Sequence, residues 1–413
     1  NRLYSLYQVI SVSEDGGKSF KTTATFDQAH ADHHAIWIHP EDNNFIINGN
    51  DGGINISYDD GATWFKANTP SVGQFYSVNV DMEKPYNVFG GLQDNGVWMG
   101  PSNYKFGYGW YDNGVYPYKR IGGGDGMQVQ VDYRDNNTVY AGFQFGNYFR
   151  INKATNERKR LEVPRELGEA PFRFNWESPL TISRHNQDII YFGSNKFHRS
   201  MSKGDSLVTL STDLTTNPAQ GDVPFGTTTT ISESPIRFGL IYVGTDDGNV
   251  QVSKDGGNSF SLISQKLPKG LYVSRVIASK YNVARVYVTL NGYRNDHFNA
   301  YVYVSDDYGN SWRQIMKTLI LVLLLSTSAP FAFANTAYYE LKVWQSNNQN
   351  LKSVGKYETL GQCRTALVDV RSTFRFLSAA EIDAYLRRER PYDCAGSVRS
   401  EALGIASASA AAL

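Results

Sequence analysis

A β-propeller followed by a small α+β appendix is the fold the sequence predicts, on three observations. A strand motif returns every 42 to 52 residues, an eight-residue polar turn repeats in phase with it, and a leader-like apolar run sits at residue 316, deep inside the chain. The composition agrees with a mainly β protein: 37 Gly and 14% aromatic residues crowd out the good helix formers.

The motif is an apolar strand, a polar turn, a second strand ending in a small residue, a loop and a third strand. The second strands are expected at 45–48, 87–90, 139–142, 190–193, 241–244 and 286–289, so their last residues lie 42, 52, 51, 51 and 45 positions apart. A period of this length, with about four short strands per unit, is that of propeller blades. Six full units run from about His34 to Ile315. A half unit in residues 1–29 is expected to supply the outer two strands of a seventh, incomplete blade, leaving an open edge. The fold class is therefore all-β: a propeller of about seven four-stranded blades, one incomplete.

The turn after each third strand has its own pattern. Ser13-x-Asp15-x-Gly17-x-Ser19-Phe20 recurs as Ser57-x-Asp59-x-Gly61-x-Thr63-Trp64, Ser253-x-Asp255-x-Gly257-x-Ser259-Phe260 and Ser305-x-Asp307-x-Gly309-x-Ser311-Trp312. A degenerate copy, Ser200-x-Ser202-x-Gly204-x-Ser206, stands in the matching place. Asp accepts from nearby backbone N–H groups, Gly supplies a positive φ, and the hydroxyls tie the turn together. The pattern resembles the Asp box, or bacterial neuraminidase repeat, which in that family is a structural turn on the blade periphery. Asp15, Asp59, Asp255 and Asp307 are accordingly expected to be structural.

The charge balance of 40 basic and 40 acidic residues argues against a nucleic-acid binder working through a basic surface. Candidate chemistry is expected at the opposite end from the Asp boxes. There the loops between blades and the loops joining second to third strands gather at one mouth. Asp51, Asp94 and Asp125 are the candidate acid and base. Asp32, His33, Tyr76, Trp98, Phe143, Asn175, Trp176, Glu177 and Arg275 are the candidate ligand contacts. Carboxylate pairs beside aromatic platforms suit sugar recognition and glycosidic hydrolysis, which needs carboxyl groups about 5 Å apart for retention or roughly 6.5–9.5 Å for inversion. The cluster His30-x-Asp32-His33-His34 matches no zinc spacing and reads as a hydrogen-bonded plug, with strand alternation placing His33 and Ala35 on one face. Gly122 to Gly126 fits no phosphate loop. No metal and no cofactor is expected.

The segments His30 to Ala35, Asn50 to Gly53, Gln74 to Tyr76, Gly90 to Gly96 with Trp98-x-Gly100-Pro101-Ser102, Gly123 to Gly126 and Arg173 to Trp176 also resemble a specific group. These are secreted bacterial proteins with sortilin-type propellers, often labelled glycosyl hydrolases. The fold is similar to the xyloglucanases of glycoside hydrolase family 74. The resemblance implies a carbohydrate-active propeller that hydrolyses a glycosidic bond at its mouth or, alternatively, holds a peptide or polysaccharide without turnover. Xyloglucanases set their cleft between two propellers, so a second propeller is expected in the natural-length protein.

Beyond Ile315 the pattern changes. Met316-Lys317, an unbroken apolar run from Leu319 to Leu325 and a small-x-small end at Ala332-Phe333-Ala334 read as a bacterial signal peptide cleaved after Ala334. Pro330, Ser326 to Ser328 and Asn335 interrupt the roughly 20 apolar residues a membrane span needs. Three segments follow: 1–315, a propeller truncated at both ends; 316–334, the leader; and 335–413, a small secreted α+β domain. The junction reads as two reading frames joined, and the location as secreted or periplasmic. In the last segment residues 338–344 are expected as a strand, Thr359 and Ser378-x-x-Glu381 as caps of two helices, and Cys363 and Cys394 as a disulfide closing a loop of about 30 residues, worth about 3–4 kcal/mol. The Ala/Ser tail is expected to fray.

Overall fold

A computed structural model describes residues 2–67, 73–105, 118–296, 298–316, 339–344 and 351–357. Among them, 27 of the 29 strands form seven consecutive antiparallel sheets, and the only helical element is the single 3-10 turn Tyr293–Asn295. Blade 1 has three strands, Leu3–Leu6, Ile10–Ser13 and Lys21–Ala24. Each later blade has four, written from the inner strand outward. Blade 2 is His33–Ile38, Ile46–Asn50, Gly53–Ser57 and Phe65–Lys66; blade 3 is Phe75–Val80, Asn87–Leu92, Gly96–Pro101 and Lys119–Gly122. Blade 4 is Gln130–Val131, Thr138–Phe143, Asn147–Asn152 and Arg158–Arg160; blade 5 is Leu180–Ile182, Ile190–Gly193, Phe197–Ser200 and Leu207–Thr209. Blade 6 is Thr228–Glu233, Ile241–Thr245, Val250–Ser253 and Ser261–Leu262; blade 7 is Tyr272–Ala278, Val286–Asn291, Tyr301–Ser305 and Arg313–Met316. Strands pair in sequence order within each sheet, the up-and-down arrangement of a propeller blade.

The second strands fall where the 42-to-52-residue period puts them. Blade 1 departs from expectation: Leu3–Leu6 adds a strand, pairing Leu3 with Ser13 and Leu6 with Ile10. A four-residue strand at the chain's start offers too little alternation to be read from sequence. The last strand of blade 7 runs across Ile315–Met316, pairing Met316 with Val302.

Blades pack through the alternate faces of their strands. Phe89, Val97, Val129 and Val139 join blades 3 and 4, and Tyr148, Leu180 and Phe192 join blades 4 and 5. Tyr191, Ile231 and Val243 join blades 5 and 6, and Tyr242, Val273 and Val288 join blades 6 and 7. Ile10, Ala24 and Trp64 do so between blades 1 and 2.

The end away from the mouth is held by two repeated devices. In the polar turns Asp15, Asp59, Asp255 and Asp307 each accept from a backbone N–H and a hydroxyl four residues on; for Asp255 these are Ser259 N at 2.9 Å and Ser259 Oγ at 2.5 Å. Those bonds hold the carboxyl groups below the usual range, Asp255 and Asp307 at about 2. The second device is a cap on the hairpin between inner and second strands. His39, Asp81, Asp132, Ser183, Ser234 and Ser279 each accept backbone N–H groups two or more residues ahead.

After the propeller, Tyr339–Trp344 pairs with Leu351–Tyr357 as a hairpin. The leader-like run 317–334, the two expected helices and Cys363 and Cys394 lie outside the described residues. No helix among the described residues is long and apolar enough to cross a membrane.

Candidate functional site

The mouth is shaped by a recurring irregularity. In four blades the register of the inner strand slips near its start, between His33 and Ala35, Phe75 and Ser77, Thr228 and Thr230, and Val273 and Arg275. Such bulges re-aim the side chains at the strand's entrance. One consequence corrects the expected alternation. His33 is buried, 5% exposed, with Nδ1 on Asn48 Oδ1 at 2.7 Å, whereas Ala35 is exposed.

The turns between second and third strands carry Asp51, Asp94 and Gln144, and the loop from blade 3 to blade 4 carries Asp125. Asp32 and Asp94 hold φ near +60°, a left-handed conformation Asp tolerates better than most residues. A hydrogen-bonded chain joins the loops. His30 Nε2 donates to the Asp94 carbonyl oxygen at 2.9 Å, and Asp94 N–H donates to Asp125 Oδ1 at 2.8 Å. Gln144 Nε2 donates to Asp125 Oδ2 at 2.6 Å. Around them lies an open depression of about 300 Å³, lined by Phe26, His30, Asp32, Asp94, Asp125 and Gln144.

The Asp94 and Asp125 carboxyl groups are neighbours in this depression, and the Asp125 charge bears on the Asp94 carboxyl. Burial first, then the Asp125 and Asp51 charges, push Asp94 up to about 6. Asp51 is turned aside, bonded through Oδ1 to His34 Nε2 at 2.7 Å, while its carbonyl accepts Asn95 Nδ2 at 3.0 Å.

A second group lines the entrance on the blade 4 and 5 side. Trp176 keeps its indole 42% exposed, donates from Nε1 to Tyr76 Oη at 3.0 Å, and meets Phe145 edge-on at 5.2 Å. Tyr76 donates onward to Gln93 Oε1 at 3.1 Å. Asn175 is buried and structural in placement: Nδ2 donates to Thr227 Oγ1 at 2.8 Å and Oδ1 accepts Glu177 N–H at 3.0 Å. The Glu177 Oε1 is buried with no protein partner; burial raises this carboxyl, opposed by the Arg275 charge and a bond from Gln128. Tyr272 nearby is pushed up to about 12 by burial and by Glu177.

Trp98 lies half-buried on the third strand of blade 3, Nε1 donating to the Asn95 carbonyl at 2.8 Å, and Phe143 lines a separate cleft. The structure thus brings Asp32, Asp94 and Asp125 into one depression and Tyr76, Trp176 and Glu177 into its neighbourhood, and sets His33 and Asn175 into the packing. Gln128 and Phe26 are the contributors sequence reasoning passed over. Gln93 and Gln144 stand in the second-to-third-strand turns that the sequence gathers at the mouth, the first beside Asp94 and the second in the place equivalent to Asp51. Among the described residues no three His, Cys, Asp or Glu side chains are grouped to hold a metal ion.

No protein-family model matches the chain. Among curated proteins, 46 residues are 61% identical to the 7-methyl-GTP pyrophosphatase of Albidiferax ferrireducens and 63% identical to that of Cupriavidus pinatubonensis. Each match takes in 11% of this chain and 23% of the relative, so the chain spans under a quarter of these relatives' length. Among solved structures, the GH74 enzyme of Niastella koreensis is 12% identical with a TM-score of 0.24, over 76% of this chain and 63% of that one. An ancestral GH74 enzyme is 14% identical at 0.33, over 86% and 44%. YCF48 from Cyanidioschyzon merolae is 14% identical at 0.38, over 78% and 93%. Likeness of this degree assigns no function.

Proposed function

We propose that the propeller binds a polysaccharide at its mouth. The observation that carries this reading is the Trp176 indole, exposed yet tied to Tyr76 and Phe145, beside the amides and carboxyls of Gln93, Asp94, Asp125 and Gln144. The C–H face of a pyranose packs on such a ring by apolar burial, while its hydroxyls exchange hydrogen bonds with the polar groups around it. The motif resemblance to secreted sortilin-type and family-74 propellers supports the same class of ligand.

Hydrolysis is the second reading, favoured by Asp94 at about 6, a value suited to a general acid near neutral pH. Its expected partner Asp125 is committed to bonds within the loops, however. Asp125 accepts the Asp94 N–H through Oδ1 and the Gln144 amide through Oδ2, whereas hydrolysis needs a second carboxyl group about 5–5.5 Å or more from the acid and facing the substrate. Hydrolysis would require Asp51 or Glu177 to face Asp94 across the substrate.

Calorimetric titration of the full chain with a polysaccharide panel, paired with an assay of reducing ends, tests both readings. The expected result is binding without release, weakened about tenfold or more by Trp176→Ala. Release that Asp94→Asn abolishes would replace binding by hydrolysis. Binding of extended peptides in place of every glycan would refute both. The 46-residue likeness to pyrophosphatases covers too little of those enzymes for their activity to be assigned here.

A further inference from the structure

Beside the mouth depression, and sharing Gly124 with it, opens a second cleft of about 250 Å³. Its floor is backbone and small side chains, from Gly122 to Gly124 with Ala141 and Gly142. Its wall is the stacked pair Phe143 and Phe149, centroids 6.2 Å apart and planes inclined at 30°. The floor is bare for a reason: Gly124 has φ +68°, and a Cβ there would come within 2.7 Å of Phe143 Cβ.

One guanidinium group lines this apolar slot and a second stands near it. Arg158 lies on its rim, and Arg120 reaches Gly123, where an added Cβ would meet only Arg120 Nη2 at 3.6 Å. Neither forms an ion pair among the described residues. Arg120 Nε donates to the Gly122 carbonyl at 3.1 Å, and Arg158 donates to Asn156 Oδ1 through Nε at 3.3 Å and Nη2 at 3.1 Å. The neighbouring Arg150 and Lys159, by contrast, are both committed to Asp205. Both arginines are exposed and keep most of their donors free.

We infer that this cleft is the subsite for an acidic sugar: a uronate residue whose ring packs on Phe143 and whose carboxylate is held by Arg158, with Arg120 alongside. The inference rests on the reading of the mouth as a glycan site and names the class of glycan. A guanidinium offers a carboxylate two parallel N–H donors, and a charge-assisted pair of this kind is about twice as strong as a neutral hydrogen bond. Polarity then sets the register. The mouth depression carries Asp32, Asp94 and Asp125, which repel a carboxylate, so the acidic residue lies in the cleft and uncharged residues lie over the mouth. A wholly neutral glycan would leave both cations unmatched.

The test is titration of the full chain with tetragalacturonate and with cellotetraose, at low and high salt. Tetragalacturonate is expected to bind about tenfold more tightly at low salt, and the advantage to shrink as salt screens the exposed charges. Arg158→Gln should remove that advantage, Arg158→Lys should restore part of it, and cellotetraose affinity should not change in either. Melting curves matching the unsubstituted chain establish that these exposed-site variants fold. Equal binding of the two probes, or galacturonate binding indifferent to Arg158→Gln, overturns the acidic subsite while Trp176-dependent cellotetraose binding upholds the mouth. Absence of binding to both probes overturns the mouth reading and this inference with it. Tighter, Arg158-dependent binding of a glutamate tetrapeptide overturns the assignment to a sugar.

Discussion

Asp94→Asn probes the raised carboxyl at the mouth through stability alone, without a ligand. Burial and the neighbouring Asp125 and Asp51 charges raise Asp94 from an ordinary 3.8 to about 6. A carboxyl raised on folding binds more protons in the folded than in the unfolded state between those values. Its contribution is therefore present in full below about pH 4 and lost as pH rises through 6. Two pH units correspond to about 3 kcal/mol at most, and because Asp94 is partly open to solvent, screening reduces this to about 1 kcal/mol. For a domain of this size that is a melting shift of about 2 °C. Asn keeps the backbone N–H bond to Asp125 and accepts φ +60° as readily as Asp. Melting temperatures at pH 4, 5, 6 and 7 should coincide near pH 4 and diverge upward, the variant being the more stable by pH 7. The low-lying Asp255 and Asp307 are common to both proteins and cancel in the comparison. Parallel curves, or a variant less stable at pH 7, would refute the raised Asp94 carboxyl.

Four further substitutions test the packing. Ser183 caps its hairpin and also donates to Glu233 Oε2 at 2.7 Å, whereas Ser279 only caps, so Ser183→Ala should cost about 2–3 kcal/mol and Ser279→Ala about 1, read by chemical denaturation. Gly52→Ala places a Cβ 2.4 Å from His30 Cβ and should cost about 1–3 kcal/mol, with a shifted His30 ring signal in NMR as its bond to Asp94 loosens. Ser202→Asp restores to the degenerate turn the acceptor that Asp255 offers Ser259, and should raise stability by about 1 kcal/mol in a thermal melt.

The architecture was legible because a blade is a local object. Its strands are neighbours in sequence, its period is counted directly, and the Ser-x-Asp-x-Gly-x-Ser turns punctuate it. What escaped were events one or two residues long. The slip between His33 and Ala35 turns His33 inward and defeats an alternation argument that regular pairing would have sustained. The sequence places Gln93 and Gln144 in the mouth turns but does not show the bonds by which their amides hold Tyr76 and Asp125 in place. Topology made Asp94 and Asp125 candidates for one mouth. The bond from the Asp94 N–H to Asp125 depends on the turn conformation at Asp94 and on Gln144, neither of which composition or spacing encodes.

The mouth stands over an unusual boundary. Among the described residues, buried apolar clusters join blades 1 and 2 and every consecutive pair from blade 3 onward, but none spans blades 2 and 3. Trp37 and Phe65 on blade 2 are 47% and 61% exposed, and Phe75 on blade 3 is 54% exposed. Polar bonds at the mouth cross there instead: His30 to the Asp94 carbonyl, and Asn95 to the Asp51 carbonyl. A ligand seated on these loops adds its binding free energy to a junction that burial does little to stabilise, so its effect should be local. Hydrogen exchange in the presence of saturating oligosaccharide should slow in His33–Ile38 and Phe75–Val80 more than in the well-packed Ile241–Thr245 of blade 6. Uniform slowing, or protection centred on blade 6, would place the ligand elsewhere and detach the carboxyl pair from binding.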